Sequence, residues 1–322
     1  MTSTGHANQP GFVVSIAAHY VPARIPFLAE VLRAIAEWDR PQVNVTLVTQ
    51  DLAIADEPEI KECAAALEAR GFTLDFDQTH GMAHPWHLTW WHKTALREWH
   101  AGDGHPGDLF MYIEDDIVVD KDNLAYFERF LGPCKGRGVM PGFLRFEKGT
   151  DGTRISPDYR GYQAVTEKHR MEIDGQAFVA PEFPYWAGFI VDRDLCSEYL
   201  ASPWSDLEEA DTLPQSHNHS CRVQAAWALT YNNVPGGLPS RFVVPVDDDL
   251  APLESCQVWH SANNYSVSKQ YNFGTVKMAD IFQNSPLVAG VRQAIWDAGA
   301  LRRRAADKIK RETKRLAGGQ DA

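Results

Sequence analysis

Three acids in succession, Glu114, Asp115 and Asp116, close the β-forming run MYI and are followed at once by IVV. Like charges side by side repel, and a buried carboxylate without a partner either carries a large desolvation penalty or takes up a proton. The triplet therefore calls for a cation. Carboxylates are hard oxygen ligands suited to Mg2+ or Mn2+, and one or two of them leave coordination positions for substrate phosphates. The plainer reading is helix capping of the DKDNLAYFERFL segment, a role that Asp120 or Asp122 already suits. A rival triplet, Asp247–Asp249, follows RFVVPV, where Pro245 marks the strand as an edge strand. In HPWHLTWWHK, His84 and His87, like Trp86 and Trp90, stand one helical turn apart. No third zinc ligand is evident there, so the segment reads as core aromatics with His92 or Lys93 facing a cleft.

The elements around the first triplet alternate. GFVVSIAAHY (11–20), QVNVTLVTQD (42–51), FTLDFDQ (72–78) and DLFMYIEDD (108–116) read as strands. Segments 24–38, 57–71 and 85–104 between them carry helical signals. Such alternation predicts an α/β fold with a mostly parallel sheet, whose ligands bind beyond the carboxyl ends of the strands. There the triplet converges with Asp51 and the small residues around Ala17. Further on, AGFIVDRD reads as a buried strand, 219–231 as a helix, 241–249 as a late strand, and 255–276 as a polar, aromatic loop.

An acidic ExD or DxD triplet after a hydrophobic strand, about a hundred residues into a chain that opens βαβα, resembles the GT-A-fold glycosyltransferases. The EDD form is similar to that of N-acetylglucosaminyltransferases, and FPYWAGFIV (183–191) is similar to their pocket-shaping segment. The resemblance implies a Rossmann-like mixed sheet flanked by helices and an Mn2+ (or Mg2+) held by Asp116. Glu114 and Asp115 would then lie against the ribose or sugar. It also implies a late metal-ligating His, for which VWHSANNYSVSKQ offers His260, with Lys269 to neutralise the departing diphosphate. Ala17, Asp51, Trp90 and Lys93 complete the expected donor site. A base for the acceptor hydroxyl is expected in PWSDLEEADTL, first Asp211 and then Glu209.

The expected function is thus transfer of a sugar from a nucleoside-diphosphate sugar, UDP-linked, to a glycan or lipid-linked acceptor. Two alternatives are a sugar nucleotidyltransferase and a non-catalytic carbohydrate-binding protein. The first is disfavoured because SIAAHYVPARIPF lacks the Gly-rich loop that cradles a triphosphate. The formal charge of −12 argues against nucleic acid as a partner. Residues 291–322 hold six Arg and three Lys against four acids, a net +5, so the rest of the chain carries −17. This basic, helix-prone tail (286–322) predicts peripheral contact with an anionic membrane face. Residues 1–10 are expected to be disordered and 11–285 to form the catalytic domain, with a nucleotide half (11–133) and an acceptor half (134–285). Five Cys without CxxC spacing and a polar N-terminus lead to the expectation of a cytoplasmic protein.

Overall fold

The computed structural model describes residues 11–283, apart from 106, 160, 217, 218 and 267–275, together with the helical positions 287, 291 and 294. The first part builds a βα sheet: β1 (Phe12–Ala17), α1 (Ile25–Ala36), β2 (Val43–Thr49), α2 (Pro58–Ala69), β3 (Thr73–Gln78), α3 (His92–Ala101) and β4 (Leu109–Glu114). It continues with β5 (Ile117–Val118), α4 (Lys121–Lys135), β6 (Met140–Pro141), β7 (Leu144–Lys148), β8 (Arg154–Ser156), β9 (Gln163–Ala164), β10 (Arg170–Ile173) and β11 (Gln176–Val179). Then come β12 (Gly188–Asp192), α5 (Arg193–Leu200), α6 (Leu207–Asp211), α7 (Cys221–Ala225), β13 (Phe242–Pro245), β14 (Gln257–His260), β15 (Val276–Lys277) and β16 (Phe282–Gln283).

The main sheet runs β3-β2-β1-β4-β12, with the first four strands parallel and β12 antiparallel to β4. β1 and β4 read as unbroken apolar runs because helices cover both faces of a parallel sheet. Their residues Phe12, Val14, Ile16, Phe110, Met111 and Ile113 are fully buried. Strand order reverses between β1 and β4, which opens the crevice where doubly wound sheets bind ligands. The molecule is therefore a mixed α/β protein of Rossmann-like plan.

Two smaller sheets, β10-β11-β13-β6 and β15-β8-β7-β14-β5, and the pair β16-β9 make up the rest. The halves interleave: β12 joins the main sheet, and β5 leaves it to pair with β14. Asp115 and Asp116 are thus the two-residue passage from one sheet to the next.

Several expectations from the sequence change here. Segment 85–104 splits into a 3-10 turn, Pro85–Trp90, and α3, because His84 caps the turn through Nδ1 and Pro85 opens it. The helix expected over 219–231 stops at Ala225; Ala228, in the left-handed region at φ +40°, cannot continue it. β13 is an interior strand, flanked by β11 and β6. Pro245 is tolerated as its last residue, and its carbonyl accepts from Leu253 N at 3.0 Å. The polar stretch 255–276 contains β14. The basic tail lies outside the described residues apart from positions 287, 291 and 294.

Candidate active site

Glu114 ends β4, and its backbone N–H donates to Ala187 O at 3.1 Å. Ala187, just before β12, holds φ +60°, a strained conformation for a residue with a Cβ. Gly188 follows because nothing larger fits: a Cβ there would stand 2.6 Å from Tyr112 O and 2.7 Å from Trp186. Ala17, at the end of β1, is in register with Glu114 and nearly buried.

The triplet is buried, with Glu114 8%, Asp115 4% and Asp116 4% exposed. The helix-capping role does not fall to it. Asp120 caps α4, accepting from Asp122 N and Asn123 N, and Asn123 Nδ2 ties the start of α4 to Ser255 O and Gln257 O, next to β14. Cations inside the fold meet the triplet instead. Arg24, from the turn before α1, grips Asp115 with two donors and reaches Asp116 Oδ2 at 2.9 Å. Arg222 on α7 lies 3.8 Å from Glu114 Oε2, and Tyr185 OH donates to Glu114 Oε1 at 3.3 Å.

His260 arrives by strand pairing. Ile117 and His260 are partners in the β5–β14 ladder, and Ser261 N donates to Asp116 O at 2.8 Å. This sets His260 Nε2 3.1 Å from Asp116 Oδ2. Nδ1 is held at 2.5 Å by Glu147 Oε1 on β7, a carboxylate that also accepts from Tyr265 N and Ser266 N. A carboxylate on the far nitrogen orients an imidazole and aims its Nε2 at one target.

Charge balance follows from these contacts. Burial pushes Glu114 up, opposed chiefly by Arg222, and pushes Asp115 up to about 6 despite the Arg24 contact. Burial also works against ionised Asp116, but His260 and Arg24 outweigh it and hold the carboxyl below the usual range. For His260 burial opposes the charge, and Asp116 and Glu147 raise its pKa above the ordinary value nevertheless. Arg145, buried, is paired with Asp158 through Nε at 3.1 Å and a second nitrogen at 2.6 Å, and stands over the rings of Tyr185 and Tyr265.

A cleft of about 750 Å³ opens against this cluster. Arg145, Asp158, Tyr162, Glu182, Tyr185 and Arg222 are among its lining residues, with Phe183, His219 and Tyr265. Aromatic rings beside amide, carboxylate and guanidinium groups suit a sugar, whose ring faces are apolar and whose edges carry hydroxyls.

A divalent cation would find two of its ligands in the Asp116–His260 pair. Asp116 Oδ1 is buried and makes no hydrogen bond among the described residues. Such an orphan costs about 1–3 kcal/mol unless a ligand engages it. One carboxylate oxygen and one imidazole nitrogen suit Mn2+ or Mg2+ when phosphate and water complete the shell. Among the described residues no group of three or more His, Cys, Asp or Glu is arranged to hold a metal unaided. The residues therefore fit a cation shared with a substrate's phosphates.

The other expected site residues are placed differently. Lys93 is not at the cleft: it is 4% exposed, with Nζ 4.2–5.3 Å from the ring centres of Tyr199, Trp90 and Phe189. His92 is also buried, stacked on Tyr112 at 3.9 Å. Trp90 is buried and donates through Nε1 to Cys221 O at 2.6 Å, while Trp86 is the exposed indole. Asp51 is exposed and caps the turn after β2 through Ala53 N. Asp211 and Glu209 sit exposed on α6, outside the cleft lining, and Asp211 accepts from Gln224 Nε2 at 3.3 Å. Asp247–Asp249 form a solvated turn in which Asp247 Oδ1 accepts from Asp249 N and Ala251 N. Lys269 lies outside the described residues. Arg24, Arg145, Glu147, Glu182 and Arg222 were not singled out by sequence reasoning. They come from four separate segments, Arg145 and Glu147 standing two residues apart on β7, and no local spacing links those segments.

No family model matches the sequence, and no curated protein matches it. Among solved structures, a mannosyltransferase from Pyrobaculum calidifontis in complex with GDP-Man and Mn2+ is similar at 15% identity and a TM-score of 0.33, over 62% of this chain. The match covers 49% of that structure's chain, about half its length. A likeness of this size carries no argument about activity.

Proposed function

We propose that this protein is a metal-dependent glycosyltransferase that moves a sugar from a nucleoside-diphosphate sugar to a glycan or lipid-linked acceptor. One observation carries the reading. The buried acidic triplet lies at the sheet's switch point, and strand pairing delivers His260 Nε2 to 3.1 Å from Asp116 Oδ2. Asp116 and His260 are the residues that would hold a divalent cation, Mn2+ or Mg2+. When bound, the cation would draw charge from the diphosphate and make it a better leaving group.

The chain's own groups do the rest. Arg222, with 37% of its side chain exposed, presents a guanidinium to the cleft where departing negative charge would collect. Glu114, held by Tyr185 and Arg222, would accept from ribose or sugar hydroxyls. Ala17 lets a nucleotide approach the sheet, and the Tyr and Phe side chains of the cleft form a surface for the acceptor's ring faces.

Calorimetric titration with UDP and GDP, each with and without Mn2+, tests the proposal, with UDP as the first donor nucleotide to try. Metal-dependent nucleotide binding is expected in the wild type. It should be lost in D116N and weakened about tenfold or more in H260A, since ligand or near-ligand loss costs about 10–100-fold in metal affinity. Nucleotide binding that ignores both the metal and these substitutions would place the donor elsewhere.

A further inference from the structure

We infer that Glu182 takes the proton from the acceptor hydroxyl; this rests on the transferase reading above. Three carboxylates border the cleft or its floor. Glu114 is engaged by Tyr185 and Arg222, and Asp158 is locked by both arms of the Arg145 fork. Glu182 lines the same cleft, is solvent-exposed, and forms no ion pair among the described residues.

Its backbone, by contrast, is fixed. Gln163, 3% exposed, receives Glu182 N on Oε1 at 2.8 Å and donates through Nε2 to Ala180 O at 3.0 Å. Ser240, fully buried, donates to Pro181 O at 2.7 Å. Two buried side chains thus pin residues 180–182 on either side and leave the carboxylate free. A pinned backbone beneath an unpaired, accessible carboxylate is what a general base needs: a set position and lone pairs not already spent on a cation. Phe183 and Tyr185, one and three residues along from Glu182, line the same cleft, so a sugar held against them would lie beside the Glu182 carboxylate. His219, the imidazole of the wall, is stacked on Phe183 at 5.5 Å and set edge-on to Trp227 at 4.8 Å.

In the step itself the acceptor O–H gives its proton to the Glu182 carboxylate. The acceptor oxygen bonds to the anomeric carbon as the bond from that carbon to phosphate oxygen breaks, and the electron pair leaves on the diphosphate. The anomeric configuration inverts.

The experiment measures nucleoside diphosphate release from UDP- and GDP-sugars with Mn2+, with p-nitrophenyl glycosides or water as acceptor, beside calorimetric titration with UDP and Mn2+. In E182Q, nucleotide affinity should stay within about twofold while turnover drops about 10²–10⁴-fold, the range for loss of a general base. D211N and E209Q should keep turnover within about threefold. Turnover in E182Q above a tenth of wild type, a collapse confined to H219N or D211N, or a product of retained configuration overturns the assignment while leaving the transferase reading intact. Absence of metal-dependent nucleotide binding in the wild type overturns both.

Discussion

At the residue scale the question raised by Glu114–Asp116 has a concrete answer: the negative charge meets Arg24, Arg222 and His260. Counting Glu147 and Asp158, five carboxylates face three guanidiniums and one imidazole, so the site keeps negative charge to offer a cation. Removing Arg24 should therefore matter for folding as well as function. R24A leaves Asp115 and part of Asp116 buried without their partner, a class of change that costs about 3–5 kcal/mol. Because Arg24 is partly exposed, solvent screening brings the expected loss down, and thermal melting should read a drop of several degrees. A melting temperature unchanged in R24A would mean that the triplet is compensated from elsewhere. Lys93 gives a second residue-level prediction. Burial, with Arg97 adding to it, drives its pKa well below the ordinary 10.5, and among the described residues no oxygen partners its Nζ. The unfolded chain then binds a proton that the folded chain does not. Stability is full above 10.5 and falls as pH drops from there towards the folded value. K93M removes this penalty, so at pH 7 it should melt higher by at least about 2 °C, a change of about 1 kcal/mol. The gain should shrink as pH is raised towards 10. A gain that is flat with pH, or a loss, would show that the ammonium is accommodated by the three rings.

At the scale of elements, the site depends on two strand pairings. β12 on β4 holds Glu114 through Ala187 O, and β14 on β5 holds His260 beside Asp116. Gly188 is the tightest point of the first pairing. G188A must push Tyr112 O, Trp186 or Ile113 away, so it should destabilise by about 1–3 kcal/mol. It should weaken nucleotide binding more than a surface substitution of equal thermal cost; parity between the two in paired melting and titration experiments would uncouple β12 from the site. The central main-sheet strands were legible in the sequence as short apolar runs, and α1 and α2 by a periodic apolar face, as in Ile25, Leu28, Leu32 and Ile35. β14 was not, because QVWH is four residues long and its apolar positions carry no period that distinguishes strand from loop. The same holds for α7, whose helical pattern runs past Ala225 while the backbone turns away.

On the scale of the whole molecule, the chain combines an acidic body with a basic tail. The proposed tail contact predicts that the full chain sediments with vesicles containing phosphatidylserine at low salt, and stays in solution at 0.5 M NaCl, where charge attraction is screened within a few ångströms. A chain truncated at residue 285 should not sediment at either salt concentration; sedimentation of the truncated chain would move the contact to the body. Among the described residues no helix is long and apolar enough to cross a membrane. Sequence alone determined the α/β plan, the strand that delivers the triplet and the need for positive charge beside it, because apolar periodicity and clustered like charge are local properties of the chain. Only the tertiary structure decided which groups meet that charge. Arg24, Glu147 and Arg222, none of them singled out in the sequence, are separated from the triplet by tens of residues or more. Their convergence depends on strand register and the crossing of two sheets, which no local spacing encodes. The same reason moved Lys93 into the core, took Asp211 and Glu209 out of the cleft, and left Glu182 in it.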